Sequence, residues 1–306
     1  MRLELPLSPR EGAPGTKKAL TPRQKAERSL QVTYRRKLWT PFMNAIKQYG
    51  LIAEGDRIAV CISGGKDSML LAKLMQQLQR ISNFPFEVVY LVMDPGYNPL
   101  NRQKIEQNAA LLGIPVTIFE SSIFNVVAGE EKSPCYLCAR MRRGHLYAEA
   151  QRLGCNKIAL GHHFSDVIET TLLGLFYGAK IETMVPMLRS RNFPGMELIR
   201  PLYMVHEDDI IAWKNFNDLE FIQCACRFTE DCALCGGGGG ATKRQEVKAL
   251  IKRLKRENPA VEQHIFKAMH MVNLDTVLGF RLDGAEHGFL EEYRRKGAKN
   301  EQDGEE

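Results

Sequence analysis

The chain has 306 residues, 44% of them hydrophobic and 25% charged, with a net charge of +6 and eight cysteines. That composition is ordinary for a globular protein of one large or two modest domains, and it excludes a wholly disordered chain. No apolar run approaches the roughly 18 residues a membrane helix needs, and the first residues hold no continuous apolar segment of the signal-peptide kind, so the expectation is a cytoplasmic protein with no membrane contact.

In chain order, residues 1–22 are rich in proline and glycine and read as a mobile arm. Residues 23–50 space Leu30, Val32, Leu38, Phe42 and Ile46 as in a basic helix or helix pair. Across residues 51–205 the pattern alternates. Strands are expected at Arg57–Ile62, Glu87–Asp94, Pro115–Glu120 and Asn156–Gly161. Helices are expected at Lys66–Arg80, Leu100–Leu112, Ala139–Leu153 and Ser165–Tyr177. Short, uniformly apolar strands separated by helices imply an α/β fold, an open doubly wound parallel sheet of about five strands with ligands at the carboxyl ends. Residues 206–280 follow as a helical extension, with helices at His206–Phe216 and Thr242–Asn258 around a cysteine- and glycine-rich loop, Cys224–Gly240. The charged tail 281–306 is expected to fray.

The positive charge is concentrated. Residues 1–50 hold eleven basic residues against three acidic ones, and Lys243–Arg256 hold seven against Glu246 alone. A third cluster, Arg140, Arg142, Arg143 and Arg152, follows a cysteine pair. Such fields suit a phosphate backbone, and three of them on one chain favour RNA over merely solvated helix faces.

The sharpest local feature is Ser63-Gly64-Gly65-Lys66-Asp67-Ser68, set between the first strand and the first helix. Glycines there let the backbone approach a ligand, and the free amides that open a helix make an anion site, to which two serine hydroxyls and the Lys66 charge can add. Neither the Walker A pattern nor the dinucleotide fingerprint is present. Among the cysteines, Cys135-x-x-Cys138 can converge two thiolates on one soft metal, but a site needs three or four ligands. Cys224, Cys226, Cys232 and Cys235 are the other candidates, for an iron–sulfur cluster or for a structural zinc. Cys61 and Cys155 read as inert packing residues.

SGGKDS resembles the pyrophosphate loop of the PP-loop ATPases, and Gly161-His162-His163-Phe164-Ser165-Asp166 is similar to that family's G-H-x-x-D-D segment, with Ser165 in place of its first aspartate. With Cys135–Cys138, R-R-G-x-L-Y at Arg142–Tyr147, I-R-P-L at Ile199–Leu202 and C-x-x-C-G at Cys232–Gly236, the chain resembles the tRNA 2-thiocytidine synthetase branch over about residues 25–275. The resemblance implies ATP and Mg²⁺ on Ser63, Gly64, Gly65, Lys66, Asp67 and Ser68, with Asp94, Gly161 and His162 near the nucleotide. Asp166 would hold Mg²⁺ or assist the chemistry, and Arg142 would neutralise the reacting oxygen or the AMP phosphate, or contact tRNA. His163 would be an ordinary strand-end histidine.

The resemblance further implies a 4Fe-4S cluster on Cys135, Cys138 and a third cysteine, Cys235 ahead of Cys232, with Cys224 and Cys226 as alternates. Arg143, Lys252 and Arg253 would contact tRNA. The implied partners are tRNA and a sulfur donor such as a cysteine desulfurase, with a homodimer left open. The alternatives are a related thiolase acting on uridine and a zinc-stabilised RNA-binding protein without catalysis.

Overall fold

The computed structural model describes residues 19–121, 123, 134–222 and 242–302. Helix α1 (Pro22–Gln31) starts where the sequence supplies a reciprocal cap: Thr21 accepts from the Gln24 amide, the Gln24 side chain returns to Thr21, and Pro22 occupies the first turn. A π-turn (Arg35–Trp39) joins α1 to α2 (Thr40–Tyr49), which stops at Gly50 in the left-handed region, φ 59°. Leu30, Leu38, Trp39, Phe42 and Ile46 form the buried face of this basic region.

Six strands form the main sheet: β1 (Arg57–Ile62), β2 (Glu87–Asp94), β3 (Val116–Glu120), β4 (Lys157–Ala159), β5 (Met187–Arg189) and β6 (Glu197–Ile199). Their order is β3-β2-β1-β4-β6-β5, parallel throughout except for the antiparallel edge strand β5. Helices α3 (Lys66–Ile81), α4 (Pro99–Leu112), α5 (Pro134–Arg152) and α7 (Glu207–Phe216) flank the strands, and α6 (Phe164–Tyr177) stands between β4 and β5 in the chain. The chain runs outward from β1 to β3 on one side and onward from β4 on the other. The switch point where an open α/β sheet binds ligands therefore lies between the carboxyl ends of β1 and β4.

Two expected boundaries move by more than one residue, and both bear on that point. Helix α5 begins at Pro134 rather than Ala139, because proline suits a helix's first position, and so positions 135 and 138 fall in its first turn. Strand β4 ends at Ala159 rather than Gly161, leaving Leu160–His163 as the loop over the switch point. Cys61 and Cys155 lie in a core cluster with Ala59, Leu91, Ala150, Ile158 and Leu198. Burial and the neighbouring Cys155 push the Cys61 thiol up to about 12, and burial raises Cys155 as well.

Contacts divide the chain into two compact units, Met1–Asp166 with Val185–Thr242, and Val167–Met184 with Lys243–Glu306. The basic N-terminal helices belong to the first unit because α1 is tied into it: the Lys73 ammonium, fully buried on α3, donates to Glu27 at 2.7 Å, and the Trp213 indole on α7 donates to Ser29 at 3.0 Å. In the second unit, α8 (Lys243–Glu257) buries Val247 and Ile251 and exposes Lys248, Lys252, Arg253 and Arg256. Helix α9 (Val261–Ala268) follows. The segment expected to fray is instead ordered over most of its length, as a hairpin of β7 (Gly279–Leu282) and β8 (Ala285–Gly288) followed by α10 (Phe289–Gln302). Its turn, Asp283-Gly284, has φ values of 50° and 85°, the left-handed pair a two-residue hairpin needs.

Candidate active site

Ser63–Gly65 carries the chain from β1 into α3. Gly64 has φ 84°, and a Cβ there would stand 2.6 Å from side-chain carbons of Ile105 and Ile222, so only glycine fits. The Ser68 hydroxyl donates to the Gly65 carbonyl at 3.0 Å and accepts from the Ser63 amide at 3.2 Å, with the Ser63 hydroxyl 3.2 Å away. Gly65 caps α3 with its backbone in an extended conformation and no side-chain hydrogen bond. The first amides of a 16-residue helix therefore open onto the loop without a capping group, which is an anion site by geometry and by helix dipole.

The β4 loop closes over this helix start. A Cβ at Gly161 would lie 3.0 Å from the Ser68 nitrogen and 3.1 Å from the Asp67 carbonyl carbon, both backbone atoms. Between the two loops is a cleft of about 280 Å³ lined by Ser63, Asp67 and Ser68 on one side, Gly161, His162 and Asp166 on another, and Arg142 and Leu146 from α5.

Charges around the cleft are interlocked. The Lys66 ammonium sits 3.2 Å from Asp67 and 3.1 Å from Glu207, beside the cleft rather than in its lining. Burial pulls its pKa down, but the two carboxylates outweigh burial and raise it, so Lys66 is a stored cation at the helix start. Asp166 Oδ2 accepts from the His163 amide at 3.0 Å. His163 is not an ordinary strand-end residue: it is buried, with Nδ1 3.4 Å from Asp166 and Nε2 3.7 Å from Asp67, joining the two loops. The Ser165 hydroxyl accepts from the Glu207 amide at 3.4 Å, so the serine that departs from the family pattern has a structural partner.

Asp94 ends β2 with both carboxylate oxygens engaged. Oδ1 accepts from the Gly96 and Tyr97 amides at 2.9 and 2.7 Å, and Oδ2 from Arg102 at 3.0 Å. Its neighbours Met93 and Tyr97 line the cleft, so Asp94 shapes the wall rather than forming it. Among the described residues, no group of three or more His, Cys, Asp or Glu side chains could hold a metal ion.

Helix α5 links the cleft to the first cysteine pair. Leu137, Met141 and Leu146 pack against the cluster of Met93 and Ile123, which fixes the helix's rotation. Positions 135, 138, 142 and 146 repeat at the three- and four-residue spacing of one helical stripe. Arg142 and Leu146 of that stripe line the cleft, and position 138 is one turn away, about 6 Å along the axis. Cys224, Cys226, Cys232, Cys235 and Gly236–Gly240 lie outside the described residues. Glu207, which meets Lys66, is a site residue that local sequence patterns did not single out.

The PP-loop domain family matches residues 31–226. A tRNA-cytidine(32) 2-sulfurtransferase of Geotalea uraniireducens is 37% identical over 229 residues, which is 74% of this chain and 87% of that protein. One from Alkalilimnicola ehrlichii is 38% identical over 232 residues, 75% of this chain and 71% of its own. The chain belongs to the tRNA-cytidine(32) 2-sulfurtransferase family of PP-loop proteins. Its fold is shared with the U34-tRNA thiolase NcsA from Methanococcus maripaludis, solved with its 4Fe-4S cluster, at a TM-score of 0.59 and 18% identity over 76% of this chain and 77% of that one. As a member of the sulfurtransferase family, the chain is an enzyme of tRNA thiolation with an ATP-binding domain.

Proposed function

We propose that this chain replaces the C2 oxygen of cytidine 32 in tRNA by sulfur, using ATP to activate that oxygen. The reading rests on one juxtaposition: the uncapped start of α3 and the Arg142 stripe of α5 face the same cleft, and that stripe runs on to positions 138 and 135.

The α3 amides and the Ser63 and Ser68 hydroxyls receive the β- and γ-phosphates, and Lys66 adds its charge from the side. Asp67 and Asp166, on the cleft wall, would hold the Mg²⁺ of the triphosphate, an ion that takes one or two carboxylates beside the phosphates. The cytidine, turned out of its loop, attacks the α-phosphorus through O2, and pyrophosphate leaves as the amides stabilise its charge. Arg142 then faces the adenylated oxygen or its phosphate. Cys135, Cys138 and one of Cys235, Cys232, Cys224 or Cys226 would hold a 4Fe-4S cluster, which would supply the activated sulfur that takes this oxygen's place, the oxygen departing as part of AMP. Support for a third ligand from the later group is the position of Ile222, the last described residue before it, whose side chain lies against Gly64.

Arg143 and the exposed Lys252 and Arg253 serve as tRNA contacts. No helix among the described residues is long and apolar enough to cross a membrane. The reaction is assigned to the cytoplasm, where thiols stay reduced, with sulfur delivered by a donor such as a cysteine desulfurase; a homodimer is not required by these steps.

Anaerobically purified protein should absorb in the visible iron–sulfur region. Cys135→Ala should bleach it and abolish tRNA thiolation while sparing ATP binding. Unchanged sulfur in tRNA from that variant overturns the ligand role, and colourless wild-type protein with stoichiometric zinc and no thiolation overturns the enzyme reading.

A further inference from the structure

Helix α6 ends on three bulky apolar residues in a row, Leu175, Phe176 and Tyr177, each about half exposed. Successive positions on a helix point in different directions, so the three cannot all turn into one core. The turn that presents them is closely held. The Gly178 and Lys180 amides both donate to the Gly174 carbonyl at 3.0 Å, and the Thr171 hydroxyl meets that of Thr183 at 3.0 Å, tying the returning chain to the helix. Between them Ala179 has φ 49°, a left-handed conformation that a non-glycine residue keeps only where its surroundings fix it.

The rings are fixed as well. Phe176 and Tyr177 meet edge to face, with centroids 6.5 Å apart and planes at 88°. The Tyr177 hydroxyl donates to Glu246 at 2.7 Å, and the Lys243 ammonium lies 4.8 Å from the Tyr177 ring centroid while donating to Glu246 at 3.2 Å. Arg244 pairs with the buried Glu169 carboxylate at 3.2 Å and donates to the Thr170 hydroxyl at 3.3 Å. The start of α8 is thus clamped to α6 within one compact unit. From Arg244 a row of exposed cations runs along α8 in four-residue steps, Lys248, Lys252 and Arg256, each about 6 Å further along the axis.

We propose that Phe176, braced by Tyr177, is a stacking platform for one unpaired base of tRNA, with Lys248 and Lys252 receiving the phosphates beside it. An aromatic face next to a basic track is how single-stranded nucleic acid is held, base on ring and backbone on cations. Tyr177 is engaged by Lys243 and Glu246, so Phe176 is the ring assigned to the base. Charge decides between RNA and a second copy of the chain. Lys243–Arg256 hold seven basic residues against Glu246 alone, so two such faces repel each other, whereas a polyanion is drawn to them. The claim takes its ligand from the tRNA-thiolation reading and its geometry from α6 and α8 alone.

The test uses the full chain and an unmodified tRNA transcript, with Kd measured across a salt series and ATP affinity measured separately. Phe176→Ala should weaken tRNA binding about tenfold with the salt slope unchanged, because stacking releases no counterions. Phe176→Tyr should restore binding. Lys248→Gln should make the slope of log K against log salt shallower by roughly 0.7, the share of one single-strand phosphate. None of these variants should alter ATP affinity. Phe176→Trp should bind as the wild type does, and its exposed indole should lose fluorescence on tRNA but not on a blunt RNA duplex with no unpaired base. Trp39 and Trp213 are buried and supply a constant background. A purely structural role for Phe176 would not produce that selective quenching.

Phe176 is half exposed, so truncating it opens no cavity in the core. Wild-type affinity in Phe176→Ala, or equal quenching of Phe176→Trp by tRNA and duplex, overturns the platform and leaves the thiolation reading standing. Loss of a dimer by Phe176→Ala in sedimentation, with tRNA binding intact, assigns the face to a second copy and also overturns the proposal. A wild-type chain that does not bind tRNA overturns the thiolation reading and the platform together.

Discussion

At Gly161 the site turns on a missing methyl group. The alanine Cβ would press on the Ser68 nitrogen and the Asp67 carbonyl carbon, backbone that cannot swing aside as a side chain can. Gly161→Ala should therefore displace the opening turn of α3, weaken ATP binding at least tenfold by calorimetric titration, and cost about 1–3 kcal/mol in a denaturant melt. Glu27 presents a different kind of constraint. Burial pushes its carboxyl up, but hydrogen bonds from Lys73 and Arg23 and the charges of Lys73 and Arg80 outweigh that and hold it at about 2, against an ordinary 4.5. The folded state thus binds the carboxylate form more tightly than the unfolded state does. This stabilisation is fully present above about pH 4.5 and is lost as pH falls towards 2. Glu27→Gln, which strands the buried Lys73 ammonium, should cost about 3 kcal/mol near neutrality and flatten the acid limb of a stability–pH profile. The phosphate loop was readable from sequence because its chemistry is local, six consecutive residues between a strand and a helix. Glu207 was not, because it meets Lys66 from 141 residues away, and no periodicity encodes that contact.

Elements were legible in proportion to their length and burial. β1 and β2 fall where their apolar runs predict, since a strand covered on both faces has little choice of residue. β5 and β6 have three residues each, too few to show a period, and so the antiparallel edge was not foreseen. The hairpin β7–β8 was missed for another reason. Its charged residues suggest a solvated tail, but Asp283-Gly284 is a strong turn signal, and the flanking strands are short and largely exposed. A hairpin with so little buried surface depends on its turn. Gly284→Ala, at φ 85°, should cost about 1 kcal/mol locally. In hydrogen exchange, amides at 279–288 should lose protection in that variant while those of β1 and β2 stay the slowest in the chain, and loss in β1 as well would mean the hairpin is coupled to the sheet.

On the scale of the whole molecule, the site is assembled from the ends of β1, β2 and β4, neighbours within one sheet and one compact unit, with Arg142 and Leu146 of α5. The fold class and the switch-point location followed from alternating strands and helices. The compact units did not, because composition cannot report that Met1–Asp166 and Val185–Thr242 cohere while Val167–Met184 joins the chain beyond Lys243. Burial also sets two of the eight cysteines apart. Cys61 and Cys155 stay protonated and shielded in the core, so a thiol-alkylating reagent applied to native protein should mark at most six sites, and denaturant should release the remaining two. Intact-mass spectrometry before and after unfolding reads that difference directly. The pair is then an internal reference: each thiol that escapes the reagent beyond those two is occupied by something other than the hydrophobic core.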